Sequence, residues 1–136
     1  MITKKIKELY NKNIYSKKFM TVTKLFDFPI HECQIKLVIG DTLKECCDKE
    51  SLPWDEGLDT NYDAYVQMYN GIIYMVLRKN NSRQTVLHEC IHAINKIYDY
   101  IHADINLDND EIYVREVSYF QEQVLKVFEN EINSNK

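Results

Sequence analysis

The chain has 136 residues, a formal charge of −4, 45% hydrophobic residues and 28% charged residues, as expected for one soluble globular domain over residues 1–136. No run approaches the roughly 20 apolar residues needed to cross a bilayer, and neither an apolar h-region nor a small-residue cleavage site follows Met1-Ile2-Thr3-Lys4-Lys5. The negative balance argues against a dedicated nucleic-acid binder, and a chain without a leader is expected in the cytoplasm.

Charge is unevenly spread. Residues 1–24 carry seven lysines and one acid, whereas residues 99–131 carry nine acids against Arg115 and Lys126. A solvated helix face is the ordinary expectation for such a lysine-rich head, with contact to an acidic partner or nucleic acid as the alternative. Cys33, Cys46, Cys47 and Cys90 form no Cys-x-x-Cys pair, so reduced core or surface thiols are expected in place of a metal cluster.

In chain order, residues 3–12 read as a short helix with Ile6, Leu9 and Tyr10 on one face. Residues 19–28 and 33–39 are β-prone and apolar, with Val22, Leu25 and Phe26 and then Ile35, Leu37, Val38 and Ile39. Asp41 or Thr42 can cap a helix over 42–50, and Leu52 to about residue 62 reads as loop. Asn70-Gly71 joins the runs 64–69 and 72–77 and favours the positive φ values of a type I′ turn, which predicts a β-hairpin. Ser82 can cap the next helix, along which Leu87, Ile91, Ile94, Tyr98 and Ile101 recur at helical spacing. An acidic turn, Asp104 to Asp110, precedes a last helix over about 110–132 with Tyr113, Val117, Phe120, Val124, Val127 and Phe128 inward. Together these predict an α+β fold, a small and mostly antiparallel sheet packed on a helix pair spanning 82–132.

The chemistry concentrates in His88-Glu89-Cys90-Ile91-His92. Residues four apart share a helix face, so both imidazoles can reach one Zn²⁺ at about 2.0–2.1 Å. Glu89 lies about 100° around the helix, beside the metal and not in its coordination shell, where it can act as general base on a zinc-activated water. A random shuffle of this composition produces such a pattern about once in a hundred chains. The uncharged neighbours Val86, Leu87, Cys90, Ile91, Ala93 and Ile94 suit a helix laid against a core.

A catalytic zinc site needs a third protein ligand. Glu111, 19 residues beyond His92 at the start of the last helix, is preferred. Glu116 is its rival, about 500° further round that helix, so the two cannot both face the site. Asp108 and Asp110 are expected as capping residues or acceptors for the histidine N–H groups. Asp104-x-Asn106-x-Asp108 opens like a calcium loop but has Asn109 and Arg115 where that loop needs glycine and glutamate. His31-Glu32-Cys33 echoes the motif but has Ile35 in place of its second histidine.

The run Leu87-His88-Glu89-Cys90-Ile91-His92-Ala93-Ile94-Asn95, with Asp108-Asn109-Asp110-Glu111, resembles the glutamate-liganded zincin metallopeptidases. In size and spacing it is similar to the compact ImmA/IrrE-like group and to minimal zincin-like proteins encoded by phages. The resemblance covers about residues 82–120, without the extended third-histidine motif or Met-turn of metzincins and without a helix-turn-helix partner. It implies zinc as cofactor, a protein or peptide as substrate and peptide-bond hydrolysis as the reaction. It also implies that the 64–69/72–77 hairpin supplies an edge strand for an extended substrate and that a tyrosine, histidine or arginine stabilises the oxyanion. Tyr74, His102, Tyr113 and Tyr119 are the candidates for that donor. The alternative within the resemblance is a catalytically weak or inactive zincin-fold protein with a structural zinc, serving in a phage particle or against a host factor. A metal-free interaction domain is the third possibility.

Overall fold

In the computed structural model, residues 21–53, 57–106 and 110–134 are described. The helix expected over 3–12, and Asp108 and Asn109 of the acidic turn, lie outside them.

Strand β1 (Val22–Phe28) runs into a single 3₁₀ turn, Pro29–His31, and returns antiparallel as β2 (Cys33–Gly40). Proline at the first position fixes φ for that turn, and Glu32, at φ 51°, closes it by donating its N–H to the Pro29 carbonyl. Helix α1 (Leu43–Glu50) follows, capped by Thr42, whose hydroxyl accepts from the Glu45 N–H. A single helical turn, α2 (Leu58–Asn61), breaks what the sequence suggests is continuous loop. Its Asp59 explains why: the carboxylate accepts from the Leu43 and Lys44 N–H groups and from Arg78, which ties the segment to the open end of α1. Burial pushes the Asp59 carboxyl up, but these hydrogen bonds outweigh it and hold the group below its usual range.

The expected hairpin forms as β3 (Tyr65–Tyr69) and β4 (Ile72–Arg78), with Asn70 at φ 51° and Gly71 at φ 80° supplying the type I′ geometry. The strand order is β1-β2-β4-β3, antiparallel except for the central parallel pair β2–β4. The chain is thus an α+β fold, with β3 at one edge of the sheet among the described residues.

Both central strands are covered on both faces. Ile35, Leu37 and Ile39 of β2 and Ile73, Met75 and Leu77 of β4 point into the main core under helices α3 (Arg83–Tyr100) and α4 (Asp110–Ser134). Val38, Tyr74 and Val76 point the other way, onto Leu43, Cys46 and Cys47 of α1. All four cysteines are free and buried, and burial pushes the Cys46 and Cys90 thiols up to about 12. Such thiols are packing groups.

Helix α3 begins at Ser82, whose hydroxyl accepts from the Thr85 N–H, and lies across β3 and β4. Its buried face is rotated from the expected stripe. Val86, Cys90, Ala93, Ile94, Ile97 and Tyr98 are buried, whereas Ile91 is exposed and Leu87 only partly covered. Small residues at 90 and 93 allow the helix to sit close to the sheet, and that approach sets its rotation. On α4, Phe120, Val124, Leu125 and Phe128 are buried and Tyr113, Val117 and Val127 partly so, as expected. Phe120 meets Phe26 and Phe28 of β1 edge-on at centroid distances of 5.2 and 5.8 Å. Among the described residues, no helix is long and apolar enough to cross a membrane.

Candidate metal centre

Continuity of α3 through Arg83–Tyr100 places His88 and His92 one above the other, with their Nε2 atoms 3.0 Å apart and both rings exposed. Two nitrogens held at about 2.0–2.1 Å by a tetrahedral zinc stand roughly 3.3 Å apart, so the imidazoles are within a few tenths of an ångström of a bidentate arrangement. Residues present therefore fit two positions of a zinc shell.

Among the described residues, Glu89 is the only charged side chain that is buried, at 9% exposed. Burial raises the pKa of its carboxyl, and the adjacent His92 and His88 pull it partly back. A buried carboxyl with a raised pKa beside two imidazoles is what a general base needs.

The structure does not bring Glu111 to this pair. Helices α3 and α4 are antiparallel, in a register fixed by Tyr113 donating to Asn95 Oδ1 (2.6 Å), Gln121 Nε2 donating to the Leu87 carbonyl (3.2 Å) and Arg83 pairing with Glu129 (2.9 Å). In that register Glu111 stands opposite Asp99, about 10 Å along the axis from the level of His92 at 1.5 Å per residue. It is 77% exposed, with its carboxylate on Arg115 at 3.2 Å. The segment level with the histidines is Val117–Glu122, whose one acid, Glu122, is exposed and pairs with Lys126.

Glu116 is committed elsewhere. It accepts from the Tyr98 hydroxyl at 2.6 Å and from His31 Nε2 at 2.8 Å. Tyr98 lies six residues beyond His92, about 120° round the helix and about 9 Å along it, so this cluster stands apart from the histidine pair on an adjoining side of α3. Burial first, then the hydrogen bond to Glu116, raises the pKa of the Tyr98 phenol. Among the described residues, no group of three or more His, Cys, Asp or Glu side chains is arranged to hold a metal. Asp110 begins α4 and is exposed, and Asp108 lies outside the described residues.

The four candidate oxyanion donors separate cleanly. Tyr74 faces α1 across the sheet from the histidines. His102 follows α3 in the left-handed region at φ 56°, ten residues past His92. Tyr119 is exposed on the side of α4 that faces β1. Tyr113 alone reaches the histidine-bearing face of α3, through Asn95, which follows His88 and His92 at spacings of seven and three. The Asn95–Tyr113 bond and the His31–Glu116–Tyr98 cluster were not foreseeable from local pattern, since each joins residues 18 or 85 apart in sequence.

No family model, curated protein or solved structure matches this chain.

Proposed function

We propose that the chain is a zinc-dependent, metallopeptidase-like protein that hydrolyses peptide bonds, with His88 and His92 as metal ligands and Glu89 as general base. The convergence of the two Nε2 atoms beside a buried carboxyl carries this proposal. Zinc held there supplies a Lewis acid that brings the ionisation of water into the neutral range. Glu89 takes the proton of the attacking water and returns it to the amide nitrogen as the C–N bond breaks. Among the described residues β3 is an edge strand, beside α3, and an edge strand can offer N–H and C=O groups to an extended peptide. Tyr113 can serve as donor to the oxyanion only by turning its one O–H proton away from Asn95 Oδ1. Glu111 as third ligand requires the first turn of α4 to leave Arg115 and move toward His92. The cytoplasm of a bacterium or phage-infected host is the proposed compartment.

A second proposal draws on the two-histidine geometry itself. With two protein ligands in place and no third among the described residues, zinc can staple a zincin-like fold that acts as a phage structural or host-interaction module without cleaving anything. Metal analysis of the purified protein, paired with Glu89→Gln, separates the two. One zinc per chain, lost in His88→Ala, with a disordered protein cleaved by the native chain and not by Glu89→Gln, supports the peptidase. Zinc bound with no cleavage of disordered or partner proteins supports the structural module. No zinc, and a melting temperature indifferent to chelator, refutes both. Glu111→Ala and Glu116→Ala, assayed for zinc content, decide the third ligand.

A further inference from the structure

Away from the histidine pair, a groove of about 510 Å³ lies between β1 and α4. Its walls are apolar and largely aromatic: Phe26 and Phe28 from β1, Ile30 from the turn that follows, and Ile112, Tyr119 and Phe120 from α4. Phe120 meets Phe26 and Phe28 edge-on, which holds three of these rings as a fixed wall. The volume falls within the roughly 300–1,000 Å³ of small-molecule sites, which are mostly apolar with a few converging polar groups.

The converging groups here belong to the His31–Glu116–Tyr98 cluster. His31 and Glu116 both line the groove, and Tyr98 backs them from the core. Glu116 accepts from Tyr98 through one carboxylate oxygen and from His31 Nε2 through the other. That second bond fixes the imidazole. Nε2 carries its proton, which leaves Nδ1 as the lone-pair acceptor of the neutral ring. Among the described residues, His31 Nδ1 has no hydrogen-bond partner.

We propose that the groove binds a small, neutral, aromatic molecule that carries one N–H or O–H donor. Its body lies among Phe26, Phe28, Tyr119 and Phe120, and its donor is given to His31 Nδ1. Neutrality follows from the wall. Lys24 and Arg115 are balanced there by Asp27 and Glu116, so no surplus charge selects an ion. A charged ligand would give up its hydration among apolar side chains with nothing to replace it.

The test uses the full native chain and indole as probe, followed by amide chemical shifts in a titration. Saturable shifts should gather on β1, the Pro29–His31 turn and the Ile112–Gln123 face of α4. Indole should bind about three- to tenfold more tightly than benzofuran, the same shape without the N–H, as one neutral hydrogen bond is worth. It should also bind about tenfold more tightly than indole carboxylate, which adds a charge. His31→Phe should erase the preference for indole over benzofuran, a ratio that a merely structural role for His31 would leave unchanged. The native titrations stand by themselves if that variant folds poorly. Equal affinity for indole and benzofuran overturns the proposal, as do tighter binding of the carboxylate, shifts centred on His88 and His92, or no saturable shift up to a few millimolar. Much tighter binding of N-acetyltryptophanamide than of indole also overturns it, since a partner protein's side chain would then be the occupant.

Discussion

Truncating Glu116 to alanine tests the His31–Glu116–Tyr98 cluster separately from the His88–His92 pair. The carboxylate accepts two hydrogen bonds, at 2.6 Å from Tyr98 and 2.8 Å from His31, and joins the β1–β2 turn, α3 and α4 at one point. The Tyr98 ring is buried, so its hydroxyl would be left without that acceptor, at a cost of about 1–3 kcal/mol. Loss of the charge-assisted bond from His31 adds about 1 kcal/mol, discounted for its partial exposure. We expect a total of about 2–4 kcal/mol, which lowers the urea midpoint by about 1–3 M for a chain of this size. Tyr98→Phe removes the orphaned hydroxyl, so the double variant should cost about 1–2 kcal/mol less than the sum of its parts. Any zinc held by His88 and His92 should be untouched, because Tyr98 stands about 9 Å along α3 from His92 and about 120° round it. The reasoning is refuted if Glu116→Ala keeps its urea midpoint and loses zinc, for Glu116 would then be a metal ligand and not a structural acceptor.

Three further outcomes follow from buried or crowded groups. In metal-free protein, Glu89→Gln should be more stable than the native chain at pH 7, by about 0.5–2 kcal/mol. Burial raises the folded pKa of Glu89, so ionising it disfavours the fold once pH exceeds the unfolded value of about 4.3; the stability gap should therefore close as pH is lowered toward 4 in thermal melts. Asp59→Asn should cost about 1–2 kcal/mol at neutral pH through the start of α1 and Arg78. Because the folded pKa of Asp59 is lowered, its contribution is present above about 3.9 and lost as pH falls through the folded value, so native and variant melts should converge in acid. Gly40→Ala places a Cβ 2.8 Å from Cys46 Sγ and should cost about 1–3 kcal/mol in chemical denaturation, partly relieved by Cys46→Ala; an additive double variant would contradict that contact.

The sequence by itself determined what neighbouring residues decide. Asn70-Gly71 fixed the hairpin, Thr42 and Ser82 started their helices, and the four-residue spacing of His88 and His92 put both imidazoles on one face. Each follows from backbone geometry over one or two turns of chain. The sheet's alternation in β2 and β4 and the inner face of α4 were legible for the same reason. What only the tertiary structure decided is set by packing between distant segments. The rotation of α3, which exposes Ile91 and buries Glu89, comes from the close seat that Cys90 and Ala93 allow on the sheet. The parallel β2–β4 pairing places β3 at the edge. The register of α4 on α3 puts Glu111 opposite Asp99 and gives Glu116 to Tyr98 and His31. No local periodicity encodes that register, because it depends on where side chains of two helices interlock around a shared core. The two histidines and their glutamate were therefore readable before any fold was known, and the acids around them were not.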